Sequence, residues 1–248
     1  MKAFTGGVVL LVMVLAGCAT QPPGQTISQE RARVHTELAA QYYERAQLGV
    51  ALEELGKALK AEPSYAPAYN VRGLINMALR EDRQAEEDFQ RSLQLDSSDS
   101  DTRNNYGWFL CQRGKVQDSI KQFMAALKNP LYATPEKSYL NAGVCSRKGG
   151  NLKDSEDFLQ KALVLRPNMP EALVALAELN FDRGDYAGAK SYFMRFAQNV
   201  ETSMSAESLW LGVRIERKMN DKSAEESYAL QLRKRFPESR EAQLLLQR

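Results

Sequence analysis

A chain of 248 residues has room for one large domain or two small ones. Its 33 Lys and Arg side chains nearly balance 31 Asp and Glu, leaving a net charge of +2, so the strong basic excess of a nucleic-acid-binding domain is absent. Hydrophobic residues at 44% and charged residues at 26% belong to a folded chain rather than a disordered one, and the abundance of Ala, Leu, Glu, Gln and Arg favours helix over strand.

Lys2 supplies a short positive segment, and an apolar run from Gly6 to Ala16 follows. A bilayer span needs about 20 residues, so this run has instead the length of a signal-peptide core. It ends in Leu15-Ala16-Gly17-Cys18, which resembles the lipobox of bacterial lipoproteins at all four positions. That resemblance implies removal of residues 1–17, diacylation of the Cys18 thiol and acylation of the new amine. An ordinary signal peptide with an incidental cysteine is the alternative. Several acyl chains exceed the two signals that stable membrane attachment requires. Position 19 is Ala and not Asp, which by resemblance to Gram-negative lipoprotein sorting implies the periplasmic face of the outer membrane. Residues 19 to about 28 are polar and rich in Pro, Gly and Gln. They are expected to form a flexible tether, making 18–28 the lipidated linker and 29–248 the folded domain.

The folded part repeats. Ala51 and Ala85, Gly73 and Gly107, Phe89 and Phe123, and Gly150 and Gly184 are each 34 residues apart. That is the tetratricopeptide period, one helix-turn-helix per unit. The pattern predicts units over about 32–65, 66–99, 100–133, 136–169 and 170–203, marked by Ala39, Gly73, Gly107, Gly143 and Ala177 in their first helices. A weaker sixth unit runs over about 205–237, with Leu211, Gly212, Ala224 and Tyr228. A last helix from about Glu238 to Gln247 is expected to cap the stack with Leu244, Leu245 and Leu246; the alternative is that these leucines meet a partner. The expected fold is all-α, a right-handed tetratricopeptide superhelix of about six repeats with a C-terminal capping helix. A glycine inside a helix costs roughly 1 kcal/mol relative to alanine. Gly107 is expected where its helix comes so close to the second helix that a side chain would strike Phe123.

Two features interrupt the pattern. Between units three and four lies Asn129-Pro130-Leu131-Tyr132-Ala133-Thr134-Pro135-Glu136, where Gly107 to Gly143 spans 36 residues rather than 34. Thr134 and Pro135 suit the N-cap and first turn of the next helix. Extra residues in a solenoid form loops, often on the binding side, although a simple spacer is equally compatible. The second feature is the pair Cys111 and Cys145. An oxidising periplasm permits them to bond; their place inside predicted helices favours unpaired core residues instead.

No catalytic constellation stands out. The single histidine, His35, reads as a partly packed helix residue. No Cys and His have metal-ligand spacing, and neither a phosphate-binding loop nor a nucleophile elbow occurs. Acidic residues such as Glu53, Glu54, Glu86, Glu87 and Asp88 alternate with Lys and Arg on outward faces. The chain is therefore not expected to be an enzyme, and no cofactor is expected beyond the covalent lipid on Cys18.

Binding is the function left. In the repeat family's register, the second, fifth, ninth and twelfth positions of each unit face the concave groove. Those positions place Tyr43, Leu74, Met77 and Trp108 in an apolar strip with Asn70 and Asn104 beside it. Met and Trp are adaptable and anchoring residues at binding surfaces, and an asparagine can pair with both N–H and C=O of a peptide. For Leu74, a place in the core between repeats is an equal alternative; Trp108 is expected in the groove.

The combination of lipobox, short tether and six repeats resembles the PilF/PilW family of type IV pilus biogenesis and stability lipoproteins. Asn104-Asn105-Tyr106-Gly107-Trp108-Phe109-Leu110 is similar to that family's Asn-Asn-Tyr-Gly-x-Phe-Leu, and Asn129-Pro130-Leu131-Tyr132, Pro135-Glu136 and Leu211-Gly212-Val213-Arg214 resemble it as well. Cys111, where an aromatic is usual, departs from the pattern. The resemblance implies a pilotin, a monomer that binds subunits of the outer-membrane secretin and helps them reach the membrane and form their ring. A general periplasmic repeat lipoprotein serving outer-membrane or cell-wall assembly is the competing reading.

Overall fold

The computed structural model describes residues 26–200 and 203–246. The expected signal peptide, Cys18 and the tether up to residue 25 lie outside the described residues. The described chain forms thirteen helices and no strand. They are α1 (Ile27–Glu44), α2 (Leu48–Ala61), α3 (Ala66–Ala78), α4 (Asp82–Leu95), α5 (Ser100–Gln112), α6 (Val116–Ala126), α7 (Pro135–Lys148), α8 (Leu152–Leu165), α9 (Pro170–Arg183), α10 (Tyr186–Val200), α11 (Ala206–Lys218), α12 (Lys222–Arg235) and α13 (Arg240–Leu244). The first helix starts inside the segment expected as tether, because Thr26 and Gln29 close a capping box: the Gln29 amide donates to Thr26 Oγ1, and the Thr26 amide donates to Gln29 Oε1.

Odd- and even-numbered helices alternate as first and second members of six antiparallel pairs. Each second helix also packs on the first helix of the next pair. First helices touch one another directly across repeats, α1 on α3, α3 on α5, α5 on α7, α7 on α9 and α9 on α11, whereas no two second helices of the six pairs do. First helices therefore crowd the inside of the curve and second helices spread around the outside, which is the geometry of a superhelix with a concave inner face.

Each pair turns through one residue in the left-handed backbone region: Ala46, Arg80, Gly114, Gly150, Gly184 and Asn220. These residues mark the true register of the repeats. Successive steps are 34, 34, 36, 34 and 36 residues, so a second two-residue slip separates repeats five and six. Seven residues before each turn stands a small buried residue in repeats one to five, namely Ala39, Gly73, Gly107, Gly143 and Ala177. Nine residues after it stands a large buried one: Leu55, Phe89, Phe123, Leu159 and Phe193. A Cβ built on Gly107 would come within 2.6 Å of Phe123 Cε1, and one on Gly73 within 2.8 Å of Phe89 Cε1. The expected reason for Gly107 holds: two helices approach until an aromatic ring occupies the space of a side chain.

The sixth repeat inverts that pairing and moves the register by one residue from the one expected. Counted from the turn, Val213 takes the small position and Ala229 the large one, both fully buried in the same core cluster, while the expected Gly212 is a close approach one residue earlier, where a Cβ would come within 2.9 Å of Phe193 Cζ and 3.1 Å of Tyr228 Cδ2. The position expected for Ala224 is held by Glu225, buried and bonded to Arg217 Nε at 2.9 Å. At the end of the stack α13 is shorter than expected. Leu245 is buried, but Leu246 is 79% exposed, so the three leucines do not act together as a cap.

Candidate functional site

Trp108 lies on α5 one residue beyond Gly107, so it is turned by about 100° from the packed side of its helix. It is half-buried. One side packs on the core around Cys111, Phe123, Ala142 and Cys145, and the other faces a cleft of about 670 Å³. Met77, from the last turn of α3, forms the facing wall, with Arg80, Asp82, Gln112 and Arg113 around the rim. Arg113 donates from Nε to Asp82 at 2.6 Å and through a second guanidinium nitrogen to the other carboxylate oxygen. That pairing holds the Asp82 carboxyl below its ordinary value. Arg80 takes part in no ion pair among the described residues and leaves the rim with one uncompensated positive charge.

The other groove residues sort differently. Tyr43 is half-buried against the core of the first repeats, and Leu74 against Phe89, Tyr106 and Phe109, so Leu74 takes the alternative place between repeats. Asn70 and Asn104 are almost fully buried. Asn104 Oδ1 accepts from Ser138 Oγ and from Asn141 Nδ2, each at 3.0 Å, and Asn70 Oδ1 accepts from Asn105 Nδ2 at 3.1 Å. Their carbonyl ends thus latch successive first helices together and are committed inside the protein. Of the six residues expected in the groove, the structure brings Met77 and Trp108 into one cleft.

Cys111 and Cys145 form a disulfide with Cα atoms 5.8 Å apart, which corrects the expectation that they stay unpaired. Lying within helices does not separate them, because α5 and α7 run side by side and the two residues face each other across the contact. The bond sits behind Trp108 and ties repeats three and four together beneath the cleft. His35 packs as expected and places Nδ1 2.6 Å from Glu54 Oε2.

A polar site beyond the expected strip lies farther along the concave face. Arg147 of α7 pairs with both Glu178 and Asp182 of α9, and Trp210 and Arg214 of α11 complete a cleft of about 220 Å³. The Arg214 guanidinium lies 4.1 Å from the centroid of the Phe181 ring. Carrying the concave register into repeat five points to Glu178 and Phe181, and Trp210 is the chain's other tryptophan.

Among known proteins, the tetratricopeptide repeat model matches residues 66–99, the pair α3 and α4. The crystal structure of PilW, described as a widely conserved type IV pilus biogenesis factor, superposes with a TM-score of 0.81 at 33% identity, covering 87% of this chain and 98% of that one. The chain belongs to the PilF/PilW family. The type IV pilus assembly protein PilF of Pseudomonas aeruginosa is 28% identical over 241 residues, 95% of each chain. A solved structure of P. aeruginosa PilF superposes with a TM-score of 0.78 at 27% identity, over 88% of this chain and 98% of that one. The PilF/PilW fold thus runs through nearly all of the described chain, and its tetratricopeptide scaffold is a protein-interaction module.

Proposed function

We propose that this PilF/PilW protein is an outer-membrane lipoprotein, lipid-anchored at Cys18, that captures subunits of the type IV pilus secretin in its concave groove and promotes their assembly into multimers. The observation that carries the proposal is the cleft between Met77 and Trp108. A half-buried tryptophan over a disulfide-braced floor, opposite a methionine, has the composition of a binding hot spot. Family membership supports the pilus context, and the lipobox supports the anchor. The mechanism is tethering plus recognition. α1 begins at Ile27, so the proposed tether from Cys18 is short in sequence. Such a linker holds the groove near the inner leaflet and raises the effective concentration of whatever it binds. No catalytic step is assigned.

Deleting the gene and fractionating the envelope tests this. Secretin multimers and twitching motility should be lost on deletion and restored by the wild-type gene. A Cys18→Ser protein should leave the outer-membrane fraction. Intact multimers without the protein would sink the pilotin role, and Cys18→Ser protein that still sediments with the outer membrane would sink the anchor.

A further inference from the structure

The turn between α3 and α4 differs from its counterparts in the stack. Glycine holds the left-handed position in three of the six turns, whereas repeat two places Arg80 there, with φ at 62°. Two residues after that position, repeats one, three, four and five carry Leu48, Val116, Leu152 and Tyr186, and repeat two carries Asp82. Leu48, Val116 and Leu152 pack on buried clusters, and the Tyr186 ring meets Phe181 at 5.4 Å between centroids. The scaffold therefore uses an apolar side chain where Asp82 stands. The left-handed backbone disfavours any side chain with a Cβ, so an arginine at position 80 works against the fold locally. Both residues are exposed and line the Met77–Trp108 cleft.

The two charges are not balanced. Arg113, at the end of α5, reaches back across the repeat boundary and donates to both carboxylate oxygens of Asp82. Its guanidinium also lies 5.1 Å from the centroid of the Phe109 ring, so it is fixed from two sides. The hydrogen bonds from Arg113 do most to hold the Asp82 carboxyl low, and the charge of Arg80 adds to that effect through space. Arg80 thus stands near a carboxylate whose two oxygens are already engaged, and its own side chain makes no hydrogen bond or ion pair among the described residues. The rest of the lining, Met77, Ala78, Trp108 and Gln112, is uncharged. Two guanidinium groups share one carboxylate, and the planar fork of Arg80 is complementary to a second one.

Met77 and Arg80 are three residues apart, a rise of about 5 Å along the direction of α3. One or two residues of an extended chain, at about 3.3–3.6 Å each, cover that distance. We propose that the partner segment captured by the groove carries an Asp or Glu one or two residues from its apolar anchor, with the anchor seated between Met77 and Trp108 and the carboxylate on the Arg80 guanidinium. This rests on the capture reading above and adds the chemistry of what is captured.

The test uses full-length protein in detergent, with two probes. One is the full-length secretin subunit. The other is a pair of labelled ten-residue peptides, amidated at the C-terminus, with one Phe and, two residues away, either Glu or Lys. Arg80→Gly should weaken binding of the secretin about two- to fivefold, as for an exposed ion pair. Arg80→Glu should weaken it more than tenfold by adding repulsion. Arg80→Gly should also melt no lower than wild type, because glycine takes the left-handed conformation without strain. Weaker binding that came with a lower melt would assign Arg80 to the fold and overturn the inference. Equal binding by wild type, Arg80→Gly and Arg80→Glu, with Trp108→Ala still impaired, would overturn the acidic-partner inference and leave capture standing. If wild type fails to bind the secretin, the capture reading falls and the peptides decide the cleft. Preference for the Glu peptide that disappears in Arg80→Glu supports it, and no preference overturns it.

Discussion

At the scale of single residues, the packing of this solenoid reduces to a rule of exchanged volume. A small residue in the first helix faces a large one in the second, as Gly107 faces Phe123. Gly107→Ala forces a methyl to within 2.6 Å of a fully buried ring that has no room to retreat. Overpacking of this kind costs about 1–3 kcal/mol. Thermal unfolding of the variant should therefore shift down by several degrees, and adding Phe123→Leu should recover part of the loss. An unchanged melt for Gly107→Ala would show that the two helices are free to part. This contact was legible in the sequence, because a glycine between aromatics with an echo 34 residues away has few explanations other than close approach. Repeat six was not legible in the same way. Gly212 is a close approach, with a Cβ there lying 2.9 Å from Phe193 Cζ and 3.1 Å from Tyr228 Cδ2, but the position counted from the turn falls one residue later, on Val213, with Ala229 in the place of the large residue.

At the scale of elements, the inner face is braced by two kinds of lateral contact between first helices. Amide latches join α3 to α5 and α5 to α7, and the Cys111–Cys145 disulfide joins α5 to α7 again. The bridge spans 34 residues of sequence, and loop-closure entropy for that length gives a stabilisation of about 3–4 kcal/mol. Reductant should therefore lower the melting temperature of the wild type markedly while leaving a Cys111→Ser, Cys145→Ser double variant where it already is. Equal melting of oxidised and reduced wild type would show that the bridge braces nothing. The period and the helix pairs follow from spacing alone, but which sides of α5 and α7 face each other depends on the two-residue slip at the insertion. The slip itself is legible, but burial inside two helices favours unpaired thiols and spacing does not name the partners of a buried amide, so neither the disulfide nor the commitment of the Asn104 carbonyl to Ser138 and Asn141 follows from it. The amphipathic first helices also hide their roles. The spacing that marks a groove position marks an inter-repeat position as well: Leu74 and Met77 both pack on the core around Phe89 and Phe109, and of the two Met77 also lines the cleft.

At the scale of the whole molecule, the superhelix offers three clefts of different character. The first sets Met77 and Trp108 inside a polar rim with a spare positive charge at Arg80. The second is acidic, around Asp101. The third is a network of charges around Arg147. The first two share α5, the helix that also carries the disulfide and the amide latch, so the proposed capture cleft lies on a braced part of the inner face. Rigid support of this kind lowers the entropic cost of capture. Because Trp108 packs on the Cys111–Cys145 core as well as facing the cleft, its truncation should cost roughly 1–2 kcal/mol of stability in addition to binding, without unfolding the domain at growth temperature. The sequence places Trp108 in the groove, and its second contact, with the core around Cys111 and Cys145, is what the structure adds. The most direct measurement is therefore co-purification of the secretin with full-length Trp108→Ala protein, extracted in detergent at wild-type abundance and with its helical signal verified. Capture should fall at least tenfold while the protein remains folded and membrane-bound. Undiminished capture by a folded Trp108→Ala protein would contradict the claim that the Met77–Trp108 cleft is where the partner is held.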